Sequence, residues 1–204
     1  MNRSGASRIS ASRRSVRVFV AIEPTATILD ELTKCIERLR ESWPQAPVRW
    51  VRPEQIHLTL RFLGHVAETH LRGLQDSIAE VAGRNSPLRL SLGRLGCFPN
   101  AQRPRVIWIG VRCKNGTLDA LHSSLNESTS IHGDPPESRT FHPHLTLGRL
   151  QAGARLPRGW EEKPAGIVVS SWEDWAVRQI ALIQSRLGAG GSSYETLAKF
   201  PLQV

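Results

Sequence analysis

The sequence predicts one bilobed α+β domain whose strands flank a central groove, and three observations support this fold class. First, the tetrapeptide His-Leu-Thr-Leu occurs twice, at His57–Leu60 and at His144–Leu147. Second, each copy follows the same order of an apolar β-rich run, a helical pattern and an extended stretch. The Arg-Val pair that opens this order lies 40 residues before the motif histidine in the first half and 39 residues before it in the second. Third, no low-complexity linker separates the halves, so we expect them to pack together.

The first half opens with a strand and a helix. Val16–Ile22 is apolar and rich in β-branched residues, which indicates a buried strand. Pro24 ends this run, and Thr25 or Thr27 is placed to cap the helix that follows. From Ile28 to Leu39 the apolar residues recur with a helical period, which predicts an amphipathic helix.

The rest of the first half predicts three strands and one more helix. Val48–Val51 is a short extended piece, and Ile56–Leu63 is a strand that contains the first motif. Glu68–Val81 has the apolar spacing of an amphipathic helix, and Leu88–Leu95 alternates as a half-buried strand does.

The second half repeats the order of the first. Arg105–Val111 predicts a buried strand, and Asn115–Gly116 predicts a turn. The helical spacing of Leu118–Leu125 predicts a helix, and Gly133–Arg139 predicts a loop. Thr140–Arg149 is then the strand that contains the second motif.

The end of the chain predicts further strands. Ile167–Ser170 and Trp175–Leu187 are strand candidates. Gly188–Gly191 predicts a flexible turn, and Tyr194–Leu202 closes the chain as a final strand.

The two motifs predict a site built from both halves. Because alternate side chains of a strand point to opposite faces, His57 and Thr59 share one face while the two motif leucines enter the core. The second copy repeats this pattern with His144 and Thr146. Two imidazoles and two hydroxyls that face each other across a cleft form an acid–base site suited to phosphoryl transfer.

Four arginines are candidates for substrate binding. Strand alternation places Arg61 on the face of the first histidine, which makes it a candidate phosphate contact. The same alternation puts Arg149 on the opposite face, unless the strand has already ended there. Arg17 and Arg105 begin the paired strands and are placed to flank the groove. For each arginine a solvated surface position is the alternative.

Other rings near the motifs have more than one interpretation. His142 precedes His144 by two residues, and such a pair can attract a metal, but no carboxylate or cysteine accompanies it. We therefore expect neither a metal nor a cofactor. Phe62, Phe98, Phe141 and Trp108 are candidates for stacking on a base, and for Phe62 and Trp108 core packing is the favoured alternative. Tyr194 receives no role from the sequence.

The charge balance favours polyanionic partners. The chain has 27 Lys and Arg against 18 Asp and Glu, a formal net charge of +9, although many basic proteins bind no nucleic acid. Residues 1–15 are rich in Ser and Arg and lack acidic residues. A transit peptide, a start codon placed too early or a disordered tail would have this composition, and we favour the tail. Residues 16–204 are then the single folded domain.

The cysteines and the hydropathy indicate a cytoplasmic protein. The three cysteines, Cys35, Cys97 and Cys113, are odd in number and widely spaced, so they define neither a disulfide framework nor a metal knuckle. No apolar run approaches the ~18–20 residues that span a membrane. We expect a monomer in a reducing compartment.

The motifs and their flanks resemble the 2H phosphoesterase superfamily. The segments RVFVAI, HLTLRFLG, FHPHLTLGRL and SRLGAGGSSYETLAKFPL look most like bacterial and archaeal RNA 2′,3′-cyclic phosphodiesterases, historically called 2′-5′ RNA ligases. The resemblance covers Val16–Val204. The segment Ala152–Pro164 departs from it, since it is too rich in Gly and Pro for a long second helix.

The resemblance implies a fold and a role for each motif residue. It implies a pseudo-twofold duplication in which two antiparallel sheets line the cleft and helices lie outside. It implies that His57 is the general acid and His144 the general base, while Thr59 and Thr146 hold phosphoryl oxygens. Protonation of the 3′ oxygen by His57 would leave a 2′-phosphomonoester on the RNA.

Three functions remain open at this point. The first is metal-independent hydrolysis of RNA 2′,3′-cyclic phosphate ends, with reverse 2′-5′ ligation allowed by microscopic reversibility. The second keeps the mechanism and changes the substrate, to ADP-ribose cyclic phosphate or a 2′-5′-linked oligoadenylate. The third is a basic RNA-binding module whose histidines are structural.

Overall fold

The computed structural model describes residues 14–114, 116–156, 175–188 and 191–203. Within these ranges it is an α+β fold of three helices and one antiparallel sheet, and the predicted fold class is confirmed. The helices are α1 (Ala26–Ser42), α2 (Leu71–Gly83) and α3 (Thr117–Ser128). The strands are β1 (Ser15–Ile22), β2 (Val48–Trp50), β3 (Leu58–Ala67), β4 (Leu88–Phe98), β5 (Val106–Cys113), β6 (His144–Leu150), β7 (Trp175–Val177), β8 (Gln179–Gly188) and β9 (Gly191–Pro201).

The sheet consists of two lobes that meet at the motif strands. The strand order is β7-β4-β5-β6-β3-β1-β8-β9, and β2 pairs with β6 beside β3. Each motif strand, β3 or β6, pairs with the apolar first strand of its own half, β1 or β5. The order strand, helix, motif strand is therefore present twice, as β1-α1-β3 and as β5-α3-β6.

The third strand of each lobe comes from the other half of the chain. β4 follows the first motif in sequence but pairs with β5 of the second half. β8 follows the second motif but pairs with β1 of the first half. Each lobe therefore contains strands from both halves of the chain.

The motif leucines pack into the core between the sheet and the helices. Leu58 and Leu60 are 1% and 2% exposed, and Leu145 and Leu147 are fully buried. They belong to one cluster with the apolar faces of α1, α2 and α3. This packing leaves the histidines and threonines on the other face of the sheet, as the alternation predicts.

β1 is continuously apolar from Val18 to Ile22 because both of its faces are covered there. Val18 and Val20 pack on the helix side. Phe19 and Ala21 join a second, smaller apolar cluster on the cleft side, together with Ile183 of β8. A continuous apolar run is the pattern expected of a strand that is buried on both faces.

Several predicted boundaries move in the structure. Ser15 already belongs to β1, so the predicted tail ends before it, and residues 1–13 lie outside the described residues. The side chain of Thr25 caps α1 by accepting from Ile28 N at 3.4 Å. The second motif strand begins only at His144. The predicted strand Ile167–Ser170, Asn115 of the predicted turn, residues 189–190 and residues 157–164 of the Gly/Pro-rich segment also lie outside the described residues. None of the described helices is both long enough and apolar enough to cross a membrane.

Candidate active site

Each motif strand has a bulge directly after its motif threonine. In β3 the register shifts so that Leu60 has no partner on β1. In β6 the same shift leaves Leu147 without a partner on β5. An unpaired residue reverses the alternation of side chains beyond it. The two halves therefore have the same irregularity at the same motif position, and side chains after the motifs exchange faces.

The bulges correct the prediction for two arginines. The reversal brings Arg149 onto the face of His144, where its exposed side chain lines the same cavity. The reversal also turns Arg61 away from the cleft, so the predicted shared face with His57 is wrong. Arg61 is 2% exposed and donates to the backbone carbonyls of Phe62 at 2.8 Å and of Asp134.

The other two candidate arginines lie at the sides of the groove. The guanidinium of Arg17 lies 4.7 Å from the ring centroid of Phe62 and donates to Ser185 Oγ at 3.3 Å. It does not line the cavity that contains the histidines. Arg105 is exposed beside the second motif and lines the adjoining cavity on the side of His144.

Both motif histidines are held by the same backbone contact. Nδ1 of His57 donates to Gln55 O at 2.8 Å, and Nδ1 of His144 donates to His142 O at 2.6 Å. A carbonyl oxygen can only accept, so Nδ1 must be the protonated nitrogen in each neutral ring. Nε2, on the far side of the ring, is then the nitrogen that exchanges protons.

The four motif side chains line one cavity of about 360 Å³. His57 and Thr59 enter it from the first half, and His144 and Thr146 enter it from the second. Two basic nitrogens and two hydroxyls therefore meet with Arg149 around one space. This set of groups can move protons to and from an anion and hold its oxygens.

A second arginine, which sequence reasoning missed, faces Arg149 in the cavity. Arg49 on β2 is the direct cross-strand partner of Arg149 on β6. Both side chains are exposed and line the cavity. Like charges directly opposite each other repel, so a bound anion would stabilise the pair. The segment Val48–Val51 has no sequence signal for this role beyond its charge, because only the pairing of β2 with β6 puts Arg49 here.

The hairpin between β8 and β9 closes one side of the cavity. Gly191 and Ser192 line it, and the Gln55 side-chain amide donates to the Ser192 carbonyl. Gln55 also supplies the carbonyl that holds His57. One residue therefore positions both the histidine and the hairpin beside it.

Aromatic rings surround each histidine and limit its contact with water. Phe19 lies 4.6 Å from the His57 ring, and Tyr194 lies edge-on to it at 5.1 Å between centroids. Phe98 lies edge-on to His144 at 5.0 Å. The sequence assigned no role to Tyr194, and the structure places it in the wall of the cavity.

The surroundings of both histidines favour the neutral form of the ring. Burial lowers the pKa of His57 to about 4; the Gln55 carbonyl opposes this shift, while the positive charge of Arg149 adds to it. Burial also lowers the pKa of His144, and the His142 carbonyl opposes that shift. Within the described ranges, no group of three or more His, Cys, Asp or Glu side chains could hold a metal ion.

Comparison with known proteins gives a consistent result. The family model of LigT-like phosphoesterases matches residues 22–108. A protein of Aeropyrum pernix named RNA 2′,3′-cyclic phosphodiesterase is 34% identical over 79% of this chain and 92% of its own length. A protein of the same name from Methanothermobacter thermautotrophicus is 30% identical over 92% of this chain and 99% of its own.

Two solved structures resemble the whole fold. A Thermus thermophilus protein superimposes with a TM-score of 0.75 at 29% identity, over 92% of this chain and 98% of that protein. The structure of E. coli LigT complexed with 3′-AMP superimposes with a TM-score of 0.70 at 25% identity, over 94% of this chain and the full length of LigT.

Proposed function

The chain belongs to the LigT-like phosphoesterase family, and we propose that it hydrolyses RNA 2′,3′-cyclic phosphate ends with His57 and His144 as acid and base. We assign this activity because the relatives described above are named RNA 2′,3′-cyclic phosphodiesterase. The observation that supports the assignment of residues is the matched pair of histidines, one from each half, each held at Nδ1 by a carbonyl in one cavity.

The reaction needs one proton acceptor and one proton donor. His144 takes a proton from water as the water oxygen attacks phosphorus, and His57 gives a proton to the departing 3′ oxygen. The P–O3′ bond breaks, and a 2′-phosphomonoester and a 3′ hydroxyl remain. In-line displacement requires attacking and leaving oxygens on opposite sides of phosphorus, and histidines from two lobes suit this geometry. The choice of His57 as donor rests on the family likeness.

Substrate binding favours the protonated form of His57, which takes its proton from solvent. Burial and the charge of Arg149 hold the pKa of His57 low. A phosphate diester anion beside these groups offsets the charge of Arg149 and favours the imidazolium form. The bound substrate anion therefore prepares His57 for its role as the proton donor.

The remaining cavity residues hold the phosphate oxygens. The hydroxyls of Thr59 and Thr146 donate to the non-bridging oxygens, where negative charge grows in the transition state. The guanidinium of Arg149 neutralises the same charge, with Arg49 opposite it.

The test is hydrolysis of an oligonucleotide that ends in a 2′,3′-cyclic phosphate, in buffer with EDTA, followed by separation of 2′- from 3′-monophosphate products. We expect turnover with a 2′-phosphate product, and a loss of about 10²–10⁴ in kcat for His57→Ala and for His144→Ala. His65→Ala is the control, because His65 is exposed on β3 and lines none of the cavities around the motif histidines. Full activity of either motif variant would overturn the assignment, and a 3′-phosphate product would overturn His57 as the donor to O3′.

We also propose that the enzyme works as a monomer in the cytoplasm. Cys35 and Cys113 are free thiols. A reducing compartment keeps such thiols reduced. Sedimentation of the purified chain tests the oligomeric state, and fractionation of cells tests the location.

A further inference from the structure

We propose that the cavity beside His144 binds the nucleotide on the 5′ side of the cyclic-phosphate end, so that the enzyme prefers an RNA chain to a cyclic mononucleotide. The proposal rests on the proposed function and adds a second nucleotide site to it. The ligand is the base of the penultimate nucleotide and the phosphodiester that joins it to the terminal ribose.

This second site is continuous with the catalytic cavity. It has a volume of about 960 Å³ and shares Thr59, His144 and Arg149 with the catalytic cavity. A cyclic phosphate held between the two histidines leaves its RNA chain to exit on one side. The shared residues make this cavity a direct exit from the reacting phosphorus.

The charge of the two possible exits differs. The cavity beside His144 is lined by one carboxylate, Glu137, and by four arginines, namely the buried Arg61 and the exposed Arg105, Arg139 and Arg149. The cavity on the opposite side, beside His57, contains two carboxylates, and one of its cations is already paired: Lys199 Nζ lies 3.0 Å from Glu23. A polyanion therefore has the more favourable path past His144.

Rings at the start of this cavity suit a base. Phe98 is partly exposed, and the exposed His142 ring lies 6.3 Å from it at an interplanar angle of 46°. Phe98 also lies edge-on to His144. A base that stacks on Phe98 or His142 would therefore belong to the nucleotide next to the reacting one. Stacking of this kind accepts any base.

The far wall of the cavity is built into the fold. It is formed by the loop from Glu137 to Phe141, and the preceding part of that loop is held by the buried Arg61. Arg61 donates to the carbonyls of Asp134 and of Pro135, the latter at 3.2 Å. Because a buried guanidinium fixes this loop, the cavity does not depend on a ligand for its shape.

The experiment compares two substrates with the same reacting end. One is adenosine 2′,3′-cyclic monophosphate, and the other is a trinucleotide that ends in the same cyclic phosphate. We expect kcat/KM of the wild type to be at least about five-fold higher for the trinucleotide than for the cyclic mononucleotide. This ratio is the smallest gain expected from the stacking of one base. In Arg105→Ala and in Arg139→Ala we expect the loss to fall on the trinucleotide, so that the ratio moves toward one.

Arg72→Ala is the charge-matched control. Arg72 is exposed on α2 and lines none of the three cavities, so its loss changes long-range attraction but not the groove. Equal kcat/KM of the wild type for both substrates would overturn the proposal. An equal loss of the substrate ratio in Arg72→Ala and Arg139→Ala would also overturn it, because general charge would then explain the preference.

Failure of the proposed function gives a different result. If the wild type cleaves neither substrate, the proposed activity is wrong. RNA binding in the cavity beside His144 is then tested without catalysis. Fluorescence anisotropy with a labelled trinucleotide that ends in a 2′-phosphate provides this measurement. Binding at least five-fold weaker by Arg139→Ala than by Arg72→Ala would support the cavity beside His144 as the RNA-binding site. Equal binding by the two variants would overturn this proposal.

Discussion

Leu58 of β3 stands directly opposite Leu145 of β6, and within the described residues this is the pair that joins the two motif strands. In an antiparallel register, the residue before one partner lies toward the residue after the other. His57 is therefore nearest in register to Thr146, and His144 to Thr59. Each histidine thus lies nearest in register to the threonine of the other half, and each half contributes one histidine and one threonine to the cavity.

The crossed arrangement predicts that loss of either threonine damages the whole site. We expect Thr59→Val and Thr146→Val each to lower kcat by about 10²–10³, the effect of removing one donor to developing charge. Valine has nearly the same shape, so the urea midpoint should stay within the error of the wild type. Thr27→Val, at an exposed position of α1, is the control and should keep full activity. Normal turnover by both motif variants would exclude a role for the hydroxyls.

The low pKa of His57 predicts that the free energy of unfolding decreases as the pH is lowered. Its pKa is about 4 in the folded protein and near 6.5 in the unfolded chain, so between these values the unfolded chain binds the extra proton. The free energy of unfolding therefore decreases as the pH falls from 6.5 to 4, by up to about 3 kcal/mol for this group. Urea denaturation at pH 7 and at pH 4.5 measures the slope.

In His57→Gln this slope should become clearly smaller. His65→Gln, a change at an exposed histidine of β3, is the control and should keep the wild-type slope. The same slope in His57→Gln and in the wild type would show that His57 is not the source of the pH dependence.

The opposed arginines predict a linked effect on stability and on anion binding. Arg49 and Arg149 are direct cross-strand partners, and like charges in this position cost roughly 0.2–1 kcal/mol. In phosphate-free buffer, Arg49→Ala should therefore unfold at the wild-type temperature or slightly above it. With added inorganic phosphate the rise in Tm should be smaller than in the wild type, because half of the anion site is gone.

Differential scanning fluorimetry across a phosphate series measures both effects. Arg89→Ala is the matched control, since Arg89 is exposed on β4 and lines none of the three cavities. If Arg49→Ala kept the full phosphate-induced rise in Tm, the anion would bind without Arg49.

The buried guanidinium of Arg61 predicts a loss of stability and little loss of chemistry. Arg61→Met removes the donors to the carbonyls of Phe62, Asp134 and Pro135, at a cost of about 2–4 kcal/mol in the free energy of unfolding. Urea denaturation measures this cost. The kcat/KM on a cyclic mononucleotide, measured well below the unfolding temperature, should stay within a few-fold of the wild type.

Arg17→Met is the comparison for Arg61→Met. Arg17 is partly exposed and makes one long hydrogen bond, to Ser185 Oγ at 3.3 Å, so its loss should cost about 1 kcal/mol or less. A stable Arg61→Met with strongly reduced kcat/KM would return Arg61 to the role of a phosphate contact.

Some of the site was predictable because it depends on only three or four consecutive residues. The separation of histidine and threonine from the two motif leucines needs only strand alternation, which holds up to the bulge. The burial of Leu58 and Leu145 in one apolar cluster with residues of the three helices follows the predicted faces. The duplicated order of strand, helix and motif strand was likewise visible, because each element has its own local period.

The amino-acid sequence by itself determined the pair of motifs, the core leucines and the α+β class, since each follows from local periodicity. Only the tertiary structure decided which arginines reach the cleft. The bulges at Leu60 and Leu147 arise from pairing with β1 and β5, and they turn Arg61 inward and Arg149 toward the histidines. The same holds for Arg49, which enters the cavity because β2 pairs with a strand about 100 residues away. Such register is set by contacts between distant segments, and no local pattern of residues specifies it.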